Sequence, residues 1–348
     1  MTMTLVEAAD SRPTRRAATV SRAFGVTLSL ALAGWLTWNL LASPQQFVSV
    51  ALDGLSVGAL YALIALGYTL VYGIIGLINF AHGDLFMLAS VFSSIILVSW
   101  LGADQPTAKN WLLMAMVLAL VMAACAAINA VTDIVAYRRL RQAPRLTSLI
   151  TSVGISFAFR WLGLQLNGPG QRVWPTIIPS GGVSIGVFTL DYSTIVVTGV
   201  TVPLLLVLSY VMQNTKQGKA MRATSQDRDT ATLMGIHVDR TIAFTFAIGG
   251  ALAGAAGLLY FETLGDTNYT GGTQFGLIAF TGAVLGGVGN LLGAVIGGYL
   301  IGLVQAFNDG LPHGLGQQWS QSVVFVVLIL VLVFRPEGLL GHRHVVNV

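Results

Sequence analysis

Charge is what this sequence has least of. Only 9% of its 348 residues are Asp, Glu, Lys or Arg, against about 25% in an ordinary soluble domain. So few charges cannot cover the surface of a water-soluble fold of this length, which excludes one. Lysine is scarcest, limited to Lys109, Lys216 and Lys219. A nucleic-acid groove needs basic residues ranged along a phosphate backbone, so nucleic acid is not an expected partner. Cys125 is the single cysteine and lies in an apolar run, which rules out an internal disulfide and a cysteine metal site. Gly218-Lys219-Ala220 lacks the hydroxyl residue and the glycine spacing of a phosphate loop. Neither a nucleophile elbow nor a zinc-protease signature is present. Catalysis, a bound nucleotide and a resident cofactor therefore have no support.

What is abundant is apolar. Hydrophobic residues make up 55% of the chain, and 40 glycines accompany them. Small residues let transmembrane helices approach closely where no hydrophobic force acts between them. A crossing needs about 20 apolar residues. Such runs fall at about 24–42, 50–73, 85–101, 111–136, 147–166, 192–212, 241–261 and 321–334, with a longer Gly-rich stretch from Phe275 to Phe307. The first run exceeds the roughly 7–15 residues of a cleavable signal core, so it reads as a retained span. Residues 1–22 read as a disordered cytoplasmic tail, 23–336 as the transmembrane domain with a cytoplasmic loop at 213–240, and 337–348 as a second cytoplasmic tail.

Orientation follows from the basic residues, which favour cytoplasmic loops. With the N-terminus inside, Arg138, Arg139, Arg141 and Arg145 share one internal loop, and Lys216, Lys219, Arg222, Arg228 and Arg240 share another. Together with Arg12, Arg15, Arg16, Arg22, Arg335 and Arg343, fifteen basic residues lie inside. Lys109 and Arg172 lie outside, and Arg160 falls within a span. The same parity requires Phe275 to Phe307 to reverse near Gly286-Gly287-Val288-Gly289-Asn290. The expected architecture is an all-α polytopic membrane protein of about ten segments, two of them re-entrant or broken, with both termini cytoplasmic.

Two segments carry more than packing. Polar groups inside apolar sequence are expensive and mark function by default. The densest set is Asn79, His82 and Asp84, in Gly76-Leu-Ile-Asn79-Phe-Ala-His82-Gly83-Asp84. An interfacial turn with Asp84 capping the next helix explains them; so does a place in the transport path. One His and one Asp make a poor metal cage, so no metal is expected. Asp53, Asn129, Asp133 and Arg160 stand singly near span ends, where capping or snorkelling accounts for them. In the long loop, Gly218 to Ile236 reads as a short helix ended by Gly235. A solvated helix would explain its charges, whereas a docking helix also explains Ala223, Ala231, Leu233 and Met234 beside them.

The run Tyr61-Ala-Leu-Ile-Ala-Leu-Gly-Tyr-Thr-Leu-Val-Tyr-Gly-Ile-Ile-Gly-Leu-Ile-Asn79-Phe-Ala-His82-Gly-Asp84 closely resembles the LivH-type permeases of branched-chain amino-acid ABC importers. So do Val135 to Arg141, the loop from Arg222 to Arg240, Ala283 to Ala294, and Arg335-Pro-Glu-Gly-Leu-Leu-Gly. The likeness spans roughly residues 46–341, and it implies an inner-membrane subunit of a heteromeric importer. Its implied partners are a LivM-type permease, two cytoplasmic ATPases that bind the ATP, and a periplasmic substrate-binding protein, all amid membrane lipid. Arg222, Gln226, Asp227, Ala231, Gly235 and Ile236 would form the ATPase contact. Branched-chain amino acids would be the cargo, though relatives of this kind also carry urea or small amides. The competing class is an ion-coupled secondary transporter or channel, which would want a buried carboxylate in a broken helix near midplane. The placement of most acids at span ends speaks against it.

Overall fold

The structure, a computed structural model, describes residues 15–341 except 104, 142, 176, 180, 186, 187 and 336. Of the expected tails, 1–14 and 342–348 therefore lie outside the described residues. Residues 15–22 form the first turns of helix α1, Arg15–Ala42. There follow α2 (Pro44–Ile75), α3 (Ala81–Trp100), α4 (Ala108–Leu140) and α5 (Arg145–Asn167). The second half comprises α6 (Tyr192–Asn214), α7 (Lys216–Gln226), α8 (Arg228–Leu233), α9 (Val238–Leu264), α10 (Gly272–Gly286), α11 (Leu291–Gly310) and α12 (Ser320–Phe334). Among the described residues, eight helical stretches are long and apolar enough to cross a membrane. The protein is all-α and polytopic, and its strands are confined to short loop ribbons. β1 (Arg172–Val173) pairs with β4 (Asp266–Thr267), and β2 (Gly182–Ile185) with β3 (Phe188–Asp191), all antiparallel.

The bundle is built around α2. Residues on every side of this helix are buried from Gly58 to Val71, as expected of a helix apolar all round. Glycine decides what lies beside it. A Cβ added at Gly58 would come within 2.8 Å of the Tyr299 Cα on α11, and one at Gly298 within 2.5 Å of the Ala62 Cα on α2. Gly254 on α9 meets the Met122 Cα of α4 at 2.8 Å in the same sense. Backbone thus lies on backbone, and dispersion between closely set helices supplies what water cannot. The repeated small-xxx-small spacing is spent on packing inside the chain.

The 275–307 stretch reverses where parity requires. α10 ends at Gly286, and Gly287 (φ 106°) and Gly289 (φ 94°) make the turn, which only glycine adopts without strain. The Asn290 side chain then caps α11 by accepting from the Gly293 N–H at 3.0 Å. At 15 residues α10 is too short for a full crossing.

Loops collect at two ends. At one end Arg141 pairs with Asp239, Arg228 reaches the Ile74 carbonyl at 3.2 Å, and Gly289 lies against Gly73. The C-terminal segment joins that end, where the Leu339 and Leu340 N–H groups bond the Leu285 and Gly286 carbonyls at 2.8 and 3.0 Å. At the other end Trp35 donates to the His313 carbonyl at 2.9 Å, Gln46 to the Gly310 carbonyl at 2.8 Å, and β1 pairs with β4. The two arginine-bearing loops share the first end.

Candidate functional site: a broken helix at mid-bundle

Gly76 closes α2 in the left-handed region (φ 68°), its N–H returning to the Tyr72 carbonyl at 2.8 Å. The chain then runs non-helically to Phe80 before α3 begins. Asn79 is buried in this break, and its Oδ1 accepts from the Ala81 N–H at 3.1 Å and the Tyr137 hydroxyl at 2.8 Å. One side chain therefore both caps α3 and ties it to α4. The Asn79 Nδ2 has no partner.

His82 is 1% exposed, and its ring lies edge-on to Tyr68 with centroids 4.9 Å apart. It fits only because Gly67 lacks a side chain: a Cβ there would overlap the imidazole. The Ile64 carbonyl faces the ring, yet no hydrogen bond of good geometry reaches either nitrogen. Two bare imidazole nitrogens in an apolar interior are costly and need an explanation.

Asp84 does not cap α3. It is 2% exposed and turns sideways to α5, where Arg160 Nε donates to Oδ1 at 3.0 Å and the Ser156 hydroxyl donates to Oδ2. Thr273, in the first turn of α10, adds a further hydrogen bond. Gly83 and Gly272 let α10 approach this closely: a Cβ on Gly272 would stand 2.6 Å from Asp84 Oδ1. The positive ends of α3 and α10 and a guanidinium thus converge on one carboxylate. Ser156 sits at the middle of α5, which sets the cluster well inside the bundle.

This arrangement corrects two readings. Arg160 is not snorkelling, because it is the counter-ion of Asp84 across two helices. Acids at helix ends are not all at membrane ends either, since α3 begins deep in the bundle and takes Asp84 with it. Asn129 and Asp133 are likewise committed. Asn129 donates to the Phe246 carbonyl at 2.7 Å, and Asp133, on a π turn of α4, binds Arg141 at 2.9 Å. Among the described residues no group of three His, Cys, Asp or Glu could hold a metal.

The long loop is two helices rather than one. Asp227 is extended (φ −154°, ψ 116°) and interrupts the run. Its carboxylate accepts from the Asp229 and Thr230 N–H groups at 2.8 and 3.0 Å, making it the N-cap of α8. The Thr230 backbone bond, with that residue's hydroxyl, holds the Asp227 carboxyl below the usual carboxylate range. Gly235 (φ 80°) ends α8, as the sequence leads one to expect. The candidate contact residues divide. Gln226 and Gly235 are exposed and Ile236 is half-buried, whereas Ala231 is 2% exposed and faces its own bundle. Arg222 turns back to the Met212 carbonyl and closes α6. The exposed apolar side chains are Leu233 and Met234, at 86% and 79%. Arg228, the first residue of α8, reaches the carbonyl end of α2 just before the break. Arg228, Tyr137 and Ser156 were missed as site residues. Nothing in their local spacing marks them, because each acquires its partner through tertiary packing.

Comparison with known sequences places the chain. The family described as "Branched-chain amino acid transport system / permease component" matches residues 50–332. The chain belongs to that permease family. The permease is 37% identical over 309 residues to the high-affinity branched-chain amino acid transport system permease protein BraD of Pseudomonas aeruginosa, covering 87% of this chain and 98% of BraD. It is 36% identical to LivH of Escherichia coli K12, with the same coverage. The probable LivH of Methanocaldococcus jannaschii is 27% identical over 81% of this chain and 89% of its own length. No solved structure matches the permease. Family membership and eight span-length helices make it a multi-pass inner-membrane transport subunit.

Proposed function

We propose that this permease forms the translocation path for branched-chain amino acids in an ATP-driven importer. The observation that carries this reading is near full-length identity of 36–37% to permeases named for those substrates. Its partners on this reading are a LivM-type permease, two cytoplasmic ATPases and a periplasmic binding protein. Ten membrane segments are counted, with α1 and the half-length α10 joining the eight longer ones and both termini cytoplasmic. Support comes from the shared bundle end of the two basic loops and the 287–290 turn. The path runs beside Asn79, His82 and Asp84, and the ATPases grip α7 and α8 through Gln226, Leu233, Met234 and Ile236.

The secondary-transporter reading gains one observation, a buried carboxylate at a broken helix. That carboxylate already has a fixed counter-ion in Arg160 and two hydroxyl partners, which leaves little need for a coupling ion. Uptake of labelled leucine, valine and urea into proteoliposomes bearing the full complex tests the proposal. ATP-dependent leucine and valine uptake that survives collapse of ion gradients is expected. Uptake driven by an ion gradient without ATP would reverse it.

A further inference from the structure

One partly open pocket lies beside α2 and α3 but belongs to none of the contacts above. It is a cavity of about 180 Å³ walled by α2, α3, α9, α10 and α11. Its lining is almost wholly apolar, shared between aromatic and branched aliphatic side chains. Tyr260 stands between Phe86 and Phe275, with ring centroids 5.1 and 4.7 Å away, both edge-on. Ile64 forms part of the wall and also faces His82, so the cavity adjoins the polar cluster. Its one polar corner is the Tyr61 hydroxyl donating to Gln305 Oε1 at 2.7 Å. That bond fixes the amide, which leaves its two N–H donors available.

We infer that this cavity is a way station that takes the apolar side chain of the transported amino acid, while Gln305 receives its polar end. The inference rests on the proposed transport of amino acids and adds where the side chain is read. Volume supports it, because an apolar cavity of about 150 Å³ takes a benzene-sized guest. A branched aliphatic side chain is within that size. Urea has no apolar body to offer, and it would exchange water hydrogen bonds for aromatic faces. Phe86 lies two residues beyond Asp84, and Phe275 two residues beyond Thr273. Movement of α10 relative to α3 would therefore alter the cavity and the polar cluster together.

The test uses the assembled transporter in proteoliposomes with saturating binding protein. Val57 lines the cavity from α2 and is only partly buried, so Val57→Phe fills space without replacing a core residue. It should lower the leucine-to-valine uptake ratio by about tenfold, the discrimination that one methylene commands in a fitted pocket. Gln305→Leu should lower uptake of both and leave their ratio unchanged. Equal loss of leucine and valine in Val57→Phe overturns the inference, as does an unchanged ratio. If Val57→Phe does not assemble, Phe275→Leu decides by enlargement: phenylalanine uptake should rise relative to leucine, and no rise overturns the inference. A wild-type complex that carries urea but neither leucine nor valine would sink the transport proposal itself. Wild-type leucine uptake with unmoved ratios sinks only the cavity.

Discussion

The mid-bundle cluster and the α7–α8 loop are mirror images in solvent preference. In the first, Asp84, Arg160, His82 and Asn79 are polar groups in an apolar setting. In the second, Leu233 and Met234 are apolar groups held out from the bundle on a highly charged loop. The cluster resolves its charge internally, as Asp84 meets Arg160 within one chain, and leaves the Asn79 Nδ2 and the His82 ring nitrogens without partners. The loop leaves its mismatch unresolved, which is what a surface awaiting a partner protein does. On the proposed function, misplaced residues mark both regions, and whether their charge is met within the chain separates the path from the docking face.

The largest effect should come from breaking the internal pairing. Arg160→Ala leaves Asp84 buried and unpaired, which costs roughly 3–5 kcal/mol. Thermal stability in detergent should fall sharply, with uptake lost. The double variant Arg160→Met, Asp84→Leu should recover stability but not transport. Recovery of both would reduce the pair to scaffolding and dissolve the contrast.

Next comes the external mismatch. Asp at both Leu233 and Met234 should leave the melting temperature of this chain unchanged while the ATPases no longer co-purify. Ala231→Pro, which costs about 3 kcal/mol in a helix interior, should abolish co-purification by a different route. Retained ATPase in the Asp variant would show that α8 meets solvent only.

The cluster and the loop were legible to different degrees. Asn79, His82 and Asp84 stand out in sequence because polarity in an apolar run is visible without a fold. The reversal at 287–290 was equally visible, since charge parity and glycine both demanded it. What sequence could not supply was depth. Asp84 looks like a span-end residue because it opens a helix, and only the packing of His82 against Gly67, about two turns before the end of α2, shows that this helix opens inside the bundle. Arg160 was in plain view, but its role depended on α5 lying against α3. In sequence the loop reads as one helix because helix propensity alone gives no weight to Asp227 as a cap.

Smaller effects link the two regions. Arg228→Gln removes the bond from α8 to the carbonyl end of α2, beside the break. It should slow uptake severalfold while ATP hydrolysis continues, which would join the docking face to the path. Tight coupling in that variant would leave the two regions independent at this point. The smallest effect is Tyr137→Phe, which deletes one hydroxyl from Asn79 and should cost about 1 kcal/mol of stability with partial uptake. Urea denaturation midpoints would read it.

The bonds from Leu339 and Leu340 to the end of α10 set a constraint on biosynthesis. The short helix and the turn after it are made about fifty residues before the strap that crosses their end. Until that strap emerges from the ribosome, the Leu285 and Gly286 carbonyls at the end of α10 lack their partners. A nascent chain stalled in α12 would therefore present a loosely seated half-helix to quality control.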